Sequence, residues 1–192
     1  NGPGATNLVT GVAQAKAAFS PLVSIAGAIS TEHQGKDAFQ EIDIPAMFKP
    51  LAKWAVQIDD AERLPELLAR AFKVATSGRP GPVVISLPED IQNDLIEATG
   101  SVLNVPITPS PAPRQIDQLG NLISTAKQPV ILLGSSTWSD EACEQVADFA
   151  KRHDIPVVAS FRCQDKIDND HPNYVGVLGV GTPPFISNLI DK

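Results

Sequence analysis

Basic residues, cysteine and histidine are all in short supply in this sequence. Lys and Arg number 15 against 22 Asp and Glu in 192 residues, a formal net charge of −7. A nucleic-acid backbone is held by a basic face, so a general nucleic-acid binder is excluded. The two cysteines, Cys143 and Cys163, form no Cys-x-x-Cys, and His33, His153 and His171 are too scattered for metal-ligand spacing. In a chain with no visible export signal, the two thiols are expected to be free. No apolar run approaches the roughly 18 to 20 residues that cross a bilayer, and no basic-then-apolar leader opens the chain. The expectation is a soluble cytoplasmic protein that uses neither nucleic acid nor membrane as a partner.

Apolar residues make up 43% of the chain, enough for a core, while charged residues make up only 19%. So low a charged fraction suggests surface that other parts or partners cover. The sequence opens Asn1-Gly2-Pro3-Gly4, without Met, in what reads as a working turn. It stops at Ile190-Asp191-Lys192, within an apparent helix. A piece of something longer is expected.

Apolar spacing predicts a helix over Ala5–Phe19, capped by Thr6 or Asn7, with Leu8, Val12, Ala15 and Phe19 on one face. Pro21 ends it, and residues 22–27 read as a strand. One or two helical turns follow over Ile44–Phe48, then a strand over Trp54–Ile58. A helix from Asp59 or Asp60 to about Thr76 carries Leu64, Leu67, Leu68, Ala71, Phe72 and Ala75 on one side. Residues 77–82, rich in Gly and Pro, turn the chain into a strand over Val83–Leu87 that is apolar on both faces, as in a central parallel strand. Residues 98–114, with Pro106, Pro109, Pro111 and Pro113, read as an extended linker. Beyond it come a helix (Ile116–Ala126), a strand (Pro129–Gly134), a helix (Asp140–His153) and a strand (Ile155–Ser160). A long loop over Phe161–Gly181 leads to a helix begun by Pro183 or Pro184. This alternation predicts an α/β fold of parallel sheets flanked by helices, as two Rossmann-like units joined by a Pro-rich linker. The expected division is 1–97, the linker 98–114, and 115–192.

By chemistry alone the candidate sites are modest. Residues 2–7 (Gly-Pro-Gly-Ala-Thr-Asn) open a helix whose free N–H groups attract anionic or polar groups, though a plain turn explains the same residues. Gly176, Gly179 and Gly181 resemble a dinucleotide loop, but they follow a long loop and leave G-x-G-x-x-G incomplete. Backbone need is the simpler account. Asp37, Glu41 and Asp43 could divide acid and base work beside Phe39, or simply face solvent. Lys49 and Lys53, one helical turn apart, could hold an anion or only line a solvated face. Asp165, Asp168 and Asp170 near His171 lack the glycine and spacing of a calcium loop, so no metal ligands are assigned.

Three stretches taken together resemble the thiamine-diphosphate-dependent enzymes that include acetolactate synthases, pyruvate oxidases and related decarboxylases. They are Asn1-Gly2-Pro3-Gly4-Ala5-Thr6-Asn7, Asp37-Ala38-Phe39-Gln40-Glu41, and Ser77-Gly78-Arg79-Pro80-Gly81-Pro82-Val83 running into Leu87-Pro88-Glu89-Asp90. In order and spacing they are similar to the second half of that family's pyrimidine-binding domain. Residues 128–181 are similar to the opening of its central domain. The resemblance implies thiamine diphosphate as cofactor and a 2-oxo acid as substrate, decarboxylated and joined to a second carbonyl. It places Gly2, Pro3, Gly4 and Asn7 near the cofactor's pyrimidine, with Asn7 and Gln40 opening on one shared cavity. Phe39 and Gln40 would face the substrate end, by packing and by hydrogen bonding. Lys53 would stand close to the same channel, with Lys49 where many relatives carry arginine.

Some of the family's parts are missing from the 192 residues. The glutamate that protonates the pyrimidine belongs upstream of Asn1. The domain that binds diphosphate and Mg2+ through a Gly-Asp-Gly pattern is also absent. FAD is doubtful, because Gly134 is followed by Ser135-Ser136-Thr137 and Gly179-Val180-Gly181 lacks a neighbouring His. The chain alone is therefore expected to be inactive, and the complete enzyme to be a homodimer or homotetramer with its active site between subunits. Three alternatives remain open: a simple thiamine-diphosphate-dependent decarboxylase or oxidase, a non-catalytic nucleotide-binding module, and a structural role for the Phe39–Gln40 surface.

Overall fold

The structure, a computed structural model, describes residues 1–97, 109–135 and 138–191. The chain divides into two compact units, Asn1–Thr108 and Pro109–Lys192. Each is built on a parallel sheet of three strands among the described residues.

In the first unit the order is α1 (Gly2–Ala17), β1 (Leu22–Ala28), α2 (Ile44–Phe48), β2 (Trp54–Gln57), α3 (Leu64–Thr76) and β3 (Pro82–Pro88). The central strand is β3, flanked by β1 and β2, and both pairings are parallel. Val83, Val84 and Ile85 are buried in β3, as a strand covered on both faces requires. Side-chain alternation assigns the two faces. Val84 joins Ala26 and Ala28 of β1 with Ala5 and Val12 of α1 and Ile44 and Phe48 of α2. Val83 and Ile85 meet Leu67, Ala71 and Ala75 of α3 on the other face. Burying Ile44 and Phe48 completely stabilises by roughly 1.5–3 kcal/mol each, so a five-residue α2 is held by packing rather than by its own length.

Several boundaries differ from the sequence pattern: α1 ends at Ala17 rather than Phe19, and the strand ends of this unit shift by at most one residue. Helix α1 begins at Gly2, with Asn1 at the cap, and Thr6 turns its hydroxyl back to the Pro3 carbonyl at 2.7 Å instead of capping. Asp60 does cap as expected, but over a single 3-10 turn, Ala61–Arg63, that precedes α3.

In the second unit α4 (Pro113–Thr125) is followed by β4 (Ile131–Leu133), α5 (Asp140–His153), β5 (Val157–Ser160), β6 (Tyr174–Leu178) and α6 (Pro184–Ile190). Strand β5 lies between β4 and β6, all parallel. Helix α5 has the bounds its residues announce. Ser139 accepts from the Ala142 N–H, Asp140 and Glu141 sit in the first turn, and Lys151, Arg152 and His153 in the last. Helix α4 begins within the expected linker, most of which lies outside the described residues. It leaves Ile116, Leu119 and Leu122 exposed.

The expected long loop from 161 to 181 is a correction, for it contains β6. Gly176 disguises the strand: it adopts φ +135° at an irregularity in the pairing with β5. A Cβ built there would stand 2.7 Å from Cδ1 of Ile186, the buried anchor of α6. Gly179 is also crowded, since its Cβ would meet the Phe161 ring at 2.7 Å, but its backbone needs no positive φ. These glycines therefore serve close packing at the β6–α6 turn.

Gly176→Ala is expected to destabilise the second unit by about 1–3 kcal/mol, through overpacking and an unfavourable φ. Gly181→Ala, which meets nothing within 4 Å despite φ +78°, is expected to cost only about 1 kcal/mol. Urea denaturation of both variants checks the order, and equal losses would contradict the packing account.

Candidate functional site

In parallel α/β sheets, ligands collect beyond the carboxyl ends of the strands. The first unit has a cleft of about 300 Å³ there, lined by Gly2, by Ala28 at the end of β1 and Ile29 after it, by Gln57 at the end of β2, and by Gln34, Gly35 and residues 40–45. Its wall is formed by the segment between β1 and α2. This segment turns through three left-handed residues: Gly35 at φ +74°, Asp37 at +55° and Gln40 at +67°. A non-glycine residue in that region persists only where its surroundings hold it.

Several contacts hold it. The Gly2 N–H donates to the Gln40 carbonyl at 3.2 Å, and Glu41 N–H donates to the Ala38 carbonyl at 3.0 Å. The Glu41 carboxylate accepts from Gly35 N–H at 2.5 Å with one oxygen and from Ala38 N–H at 2.9 Å with the other. The Gly35 bond, then the Ala38 bond, lowers the Glu41 pKa below its ordinary value of 4.5. Both carboxylate oxygens are thus engaged in stapling the loop. Asp43 caps α2 through Ala46 N–H at 2.9 Å, and Asp37 is exposed. Glu41 and Asp43 are accordingly fasteners of the loop and of the helix start, while Asp37 faces solvent.

The strand ends are tied together in the same region. Thr31 donates its N–H, at 3.1 Å, and its hydroxyl to the Asp90 carboxylate. Those bonds, the hydroxyl's first, hold the Asp90 pKa low. Glu89 N–H reaches the Ala28 carbonyl at 3.1 Å. Beneath them Ser86, wholly buried, donates to Oε1 of Gln57 at 3.1 Å. The Gln57 amide nitrogen donates to Gln34 at 2.9 Å and to Asp59 at 2.7 Å.

Of the residues singled out by sequence, the cleft brings together Gly2 and Gln40. Pro3, Gly4 and Asn7 are exposed along α1 and do not line it. Asn7 does not share this cleft with Gln40: about one and a half turns of helix carry it away from the end that meets the cleft. Phe39 is 88% exposed at the tip of the wall, outside the lining. Lys53 lies at the opposite edge of the sheet. It precedes β2, whose four residues span about 13 Å before the cleft is reached. Its ammonium donates to the carbonyls of Val74 and, at 2.7 Å, Ser77, closing the end of α3. Burial there pulls its pKa down. Nor are Lys49 and Lys53 on one helix, since α2 ends at Phe48. Gln34, Gln57 and Ser86 were missed by sequence reading. Isolated polar residues beside strands carry no motif, and only the sheet register puts them in contact.

Two family models match the chain: "Thiamine pyrophosphate enzyme, N-terminal TPP binding domain" over residues 1–47, and "Thiamine pyrophosphate enzyme, central domain" over 116–192. The chain belongs to the thiamine pyrophosphate enzyme family. It is 38% identical to an acetolactate synthase of Arthrospira platensis, over 94% of this chain and 32% of that one. It is 36% identical to an acetolactate synthase large subunit of Corynebacterium glutamicum, over 98% and 31%. A crystal structure of benzoylformate decarboxylase from Polynucleobacter necessarius matches with a TM-score of 0.84 at 27% identity, covering 93% of this chain and 34% of that one. The chain spans about a third of the length of the relatives it matches. Among the described residues no helix is long and apolar enough to cross a membrane.

The cleft's lining is suited to only one end of the family's cofactor. Three neutral amides (Gln34, Gln40, Gln57) stand beside apolar walls of Ala28, Ile29, Ile42 and Ile44, and none of the lining residues is cationic. Such a set fits an uncharged aminopyrimidine edge and does not fit a diphosphate. Gly2 supplies the close approach: a Cβ there would lie 2.4 Å from the Gln40 carbonyl oxygen. No cluster of His, Cys, Asp or Glu able to hold a metal ion occurs among the described residues.

Gly2→Ala is expected to push the 34–41 wall outward and destabilise the first unit by about 1–3 kcal/mol, measured by urea denaturation. The Glu41 staple also has a pH signature. A folded pKa below the unfolded one means its stabilisation is present above about pH 4.5 and is lost as pH falls through the folded value. Amide chemical shifts of Gly35 and Ala38 should titrate below pH 4.5, and should lose that inflection in Glu41→Gln. An inflection above 4.5 would contradict the staple.

Proposed function

We propose that residues 1–97 hold the aminopyrimidine of thiamine diphosphate in an enzyme that decarboxylates a 2-oxo acid. The remaining fragment would then be joined to a second carbonyl, as in an acetolactate synthase, making the enzyme a transferase. The observation that carries this reading is the apposition of Gly2 and Gln40 in a cleft at the carboxyl ends of three parallel strands. Residues 115–192 supply the opening part of the central domain, and 98–114 the connection between the two.

Thiamine diphosphate supplies the electron sink for decarboxylation when it is bound. This chain's residues act around that chemistry. Gly2 lets the backbone of the wall close over the pyrimidine. Ala28, Ile29, Ile42 and Ile44 exclude water from one side, which strengthens every polar contact made there. Gln40, exposed at the cleft mouth, offers an amide N–H to the carbonyl oxygen of the acceptor. Glu41 takes no part as acid or base, because both its oxygens are committed to the loop. Diphosphate and Mg2+ fall to residues beyond these 192. Phe39, bare beside the cleft, is read as a contact with a second copy in a homodimer or homotetramer.

The structural likeness to a benzoylformate decarboxylase favours a second reading, in which the fragment is protonated and released as an aldehyde. Product analysis with pyruvate separates the two: acetolactate supports the first, acetaldehyde the second.

Gln40→Gly retains the left-handed backbone, which glycine adopts freely, and removes the side chain with its amide. In the holoenzyme it is expected to lower kcat/KM about 10- to 100-fold with little change in melting temperature. An unchanged kcat/KM would remove Gln40 from the site. The 192-residue chain alone is expected to show no turnover of pyruvate.

A further inference from the structure

Gln57 is the most heavily engaged polar side chain lining the cleft, and its hydrogen bonds run to protein groups rather than outward into the cavity. Its orientation is decided by its partners. The Asp59 carboxylate can only accept, so the NH2 group must face that side, leaving Oε1 for the hydroxyl of Ser86. The same NH2 group then reaches Oε1 of Gln34 at 2.9 Å. Gln34 begins the wall segment and donates onward to the Ile29 carbonyl at 3.4 Å. From Gln34 the backbone passes through Gly35, which Glu41 binds, to Gln40, which Gly2 binds.

A fully buried hydroxyl in the central strand is thus connected, side chain to side chain, to the root of the loop that presents Gln40. Ser86 is 0% exposed, so its hydroxyl cannot trade Gln57 for water without cost.

We propose that Gln57 is a positioning residue for the reaction. By fixing Gln34, it sets the height of the 34–41 wall and hence the reach of the Gln40 amide into the cleft. This inference rests on the reading that Gln40 meets the substrate. Leucine at position 57 has the bulk but neither hydrogen-bonding group. Glutamate has the shape but cannot donate to Gln34, and it sets a second carboxylate against Asp59.

The test compares Gln57→Leu, Gln57→Glu, Gln34→Leu and the double variant Gln57→Leu/Gln34→Leu, with Gln40→Gly as reference. Hydrogen exchange of the 31–41 peptide is followed in the cofactor-free full-length protein, and kcat and KM for the 2-oxo acid in the holoenzyme. Both Gln57 variants are expected to speed exchange in residues 31–41 and raise KM about tenfold, with kcat changed less than threefold. The double variant should be no worse than the worse single one, because the two residues act as one link. Unchanged exchange in residues 31–41, or strictly additive effects, would overturn the positioning role even if Gln40→Gly impairs turnover. Faster exchange in the Gln57 variants with normal turnover in Gln40→Gly would instead overturn the substrate reading and leave the mechanical link standing. Gln57→Glu keeps the side chain's size, so a loss of packing in Gln57→Leu cannot imitate the result.

Discussion

Where α1 begins, the Gly2 amide comes within 3.2 Å of the Gln40 carbonyl, and no side chain larger than hydrogen could occupy that gap. The remaining features of the cleft follow from this approach. Gln40 adopts a left-handed backbone because its carbonyl must face Gly2, and the preceding turn takes two further residues, Gly35 and Asp37, into the same region. Glu41 then spends its carboxylate on fastening that turn. A helix start, a loop of left-handed residues and an acid that looks catalytic meet around one contact.

The parallel register determines which residues share the cleft. With β3 between β1 and β2, all three strands deliver their carboxyl ends to one edge of the sheet and their amino ends to the other. Gln57 and Lys53 are four residues apart in sequence, yet they serve opposite edges. Gln57 enters the polar network under the cleft, whereas Lys53 satisfies carbonyls at the end of α3 that would otherwise lack partners. The second unit repeats the principle with a different emphasis. There Gly176 and Gly179 are fixed by the crowding of Ile186 and Phe161, so a pattern resembling a nucleotide loop records how closely β6 and α6 pack.

Elements with strong periodicity and charged ends were legible in the sequence: α5 has the bounds its cap and terminal charges announce, and α3 buries Leu67, Ala71 and Ala75 of the expected face, although Phe72 of that face is left exposed. Strand β6 was not legible, because Gly176 interrupts a run of five residues that is otherwise apolar. Of the residues that the family motifs singled out, the cleft brings together Gly2 and Gln40. The motifs also suggested Asn7 and Phe39, which the first unit leaves at its surface.

What the residues alone determined was the α/β alternation, the two units and the family, since these depend on local periodicity and on motifs a few residues long. What only tertiary structure decided was which polar groups meet. Ser86, Gln57 and Gln34 are far apart in the chain and anonymous in composition. They become a network because parallel pairing aligns β2 with β3 and the turn after β1 folds back over both. Local energetics can specify a helix or a strand. The partners of a half-buried amide are specified by the long-range packing that brings them within reach.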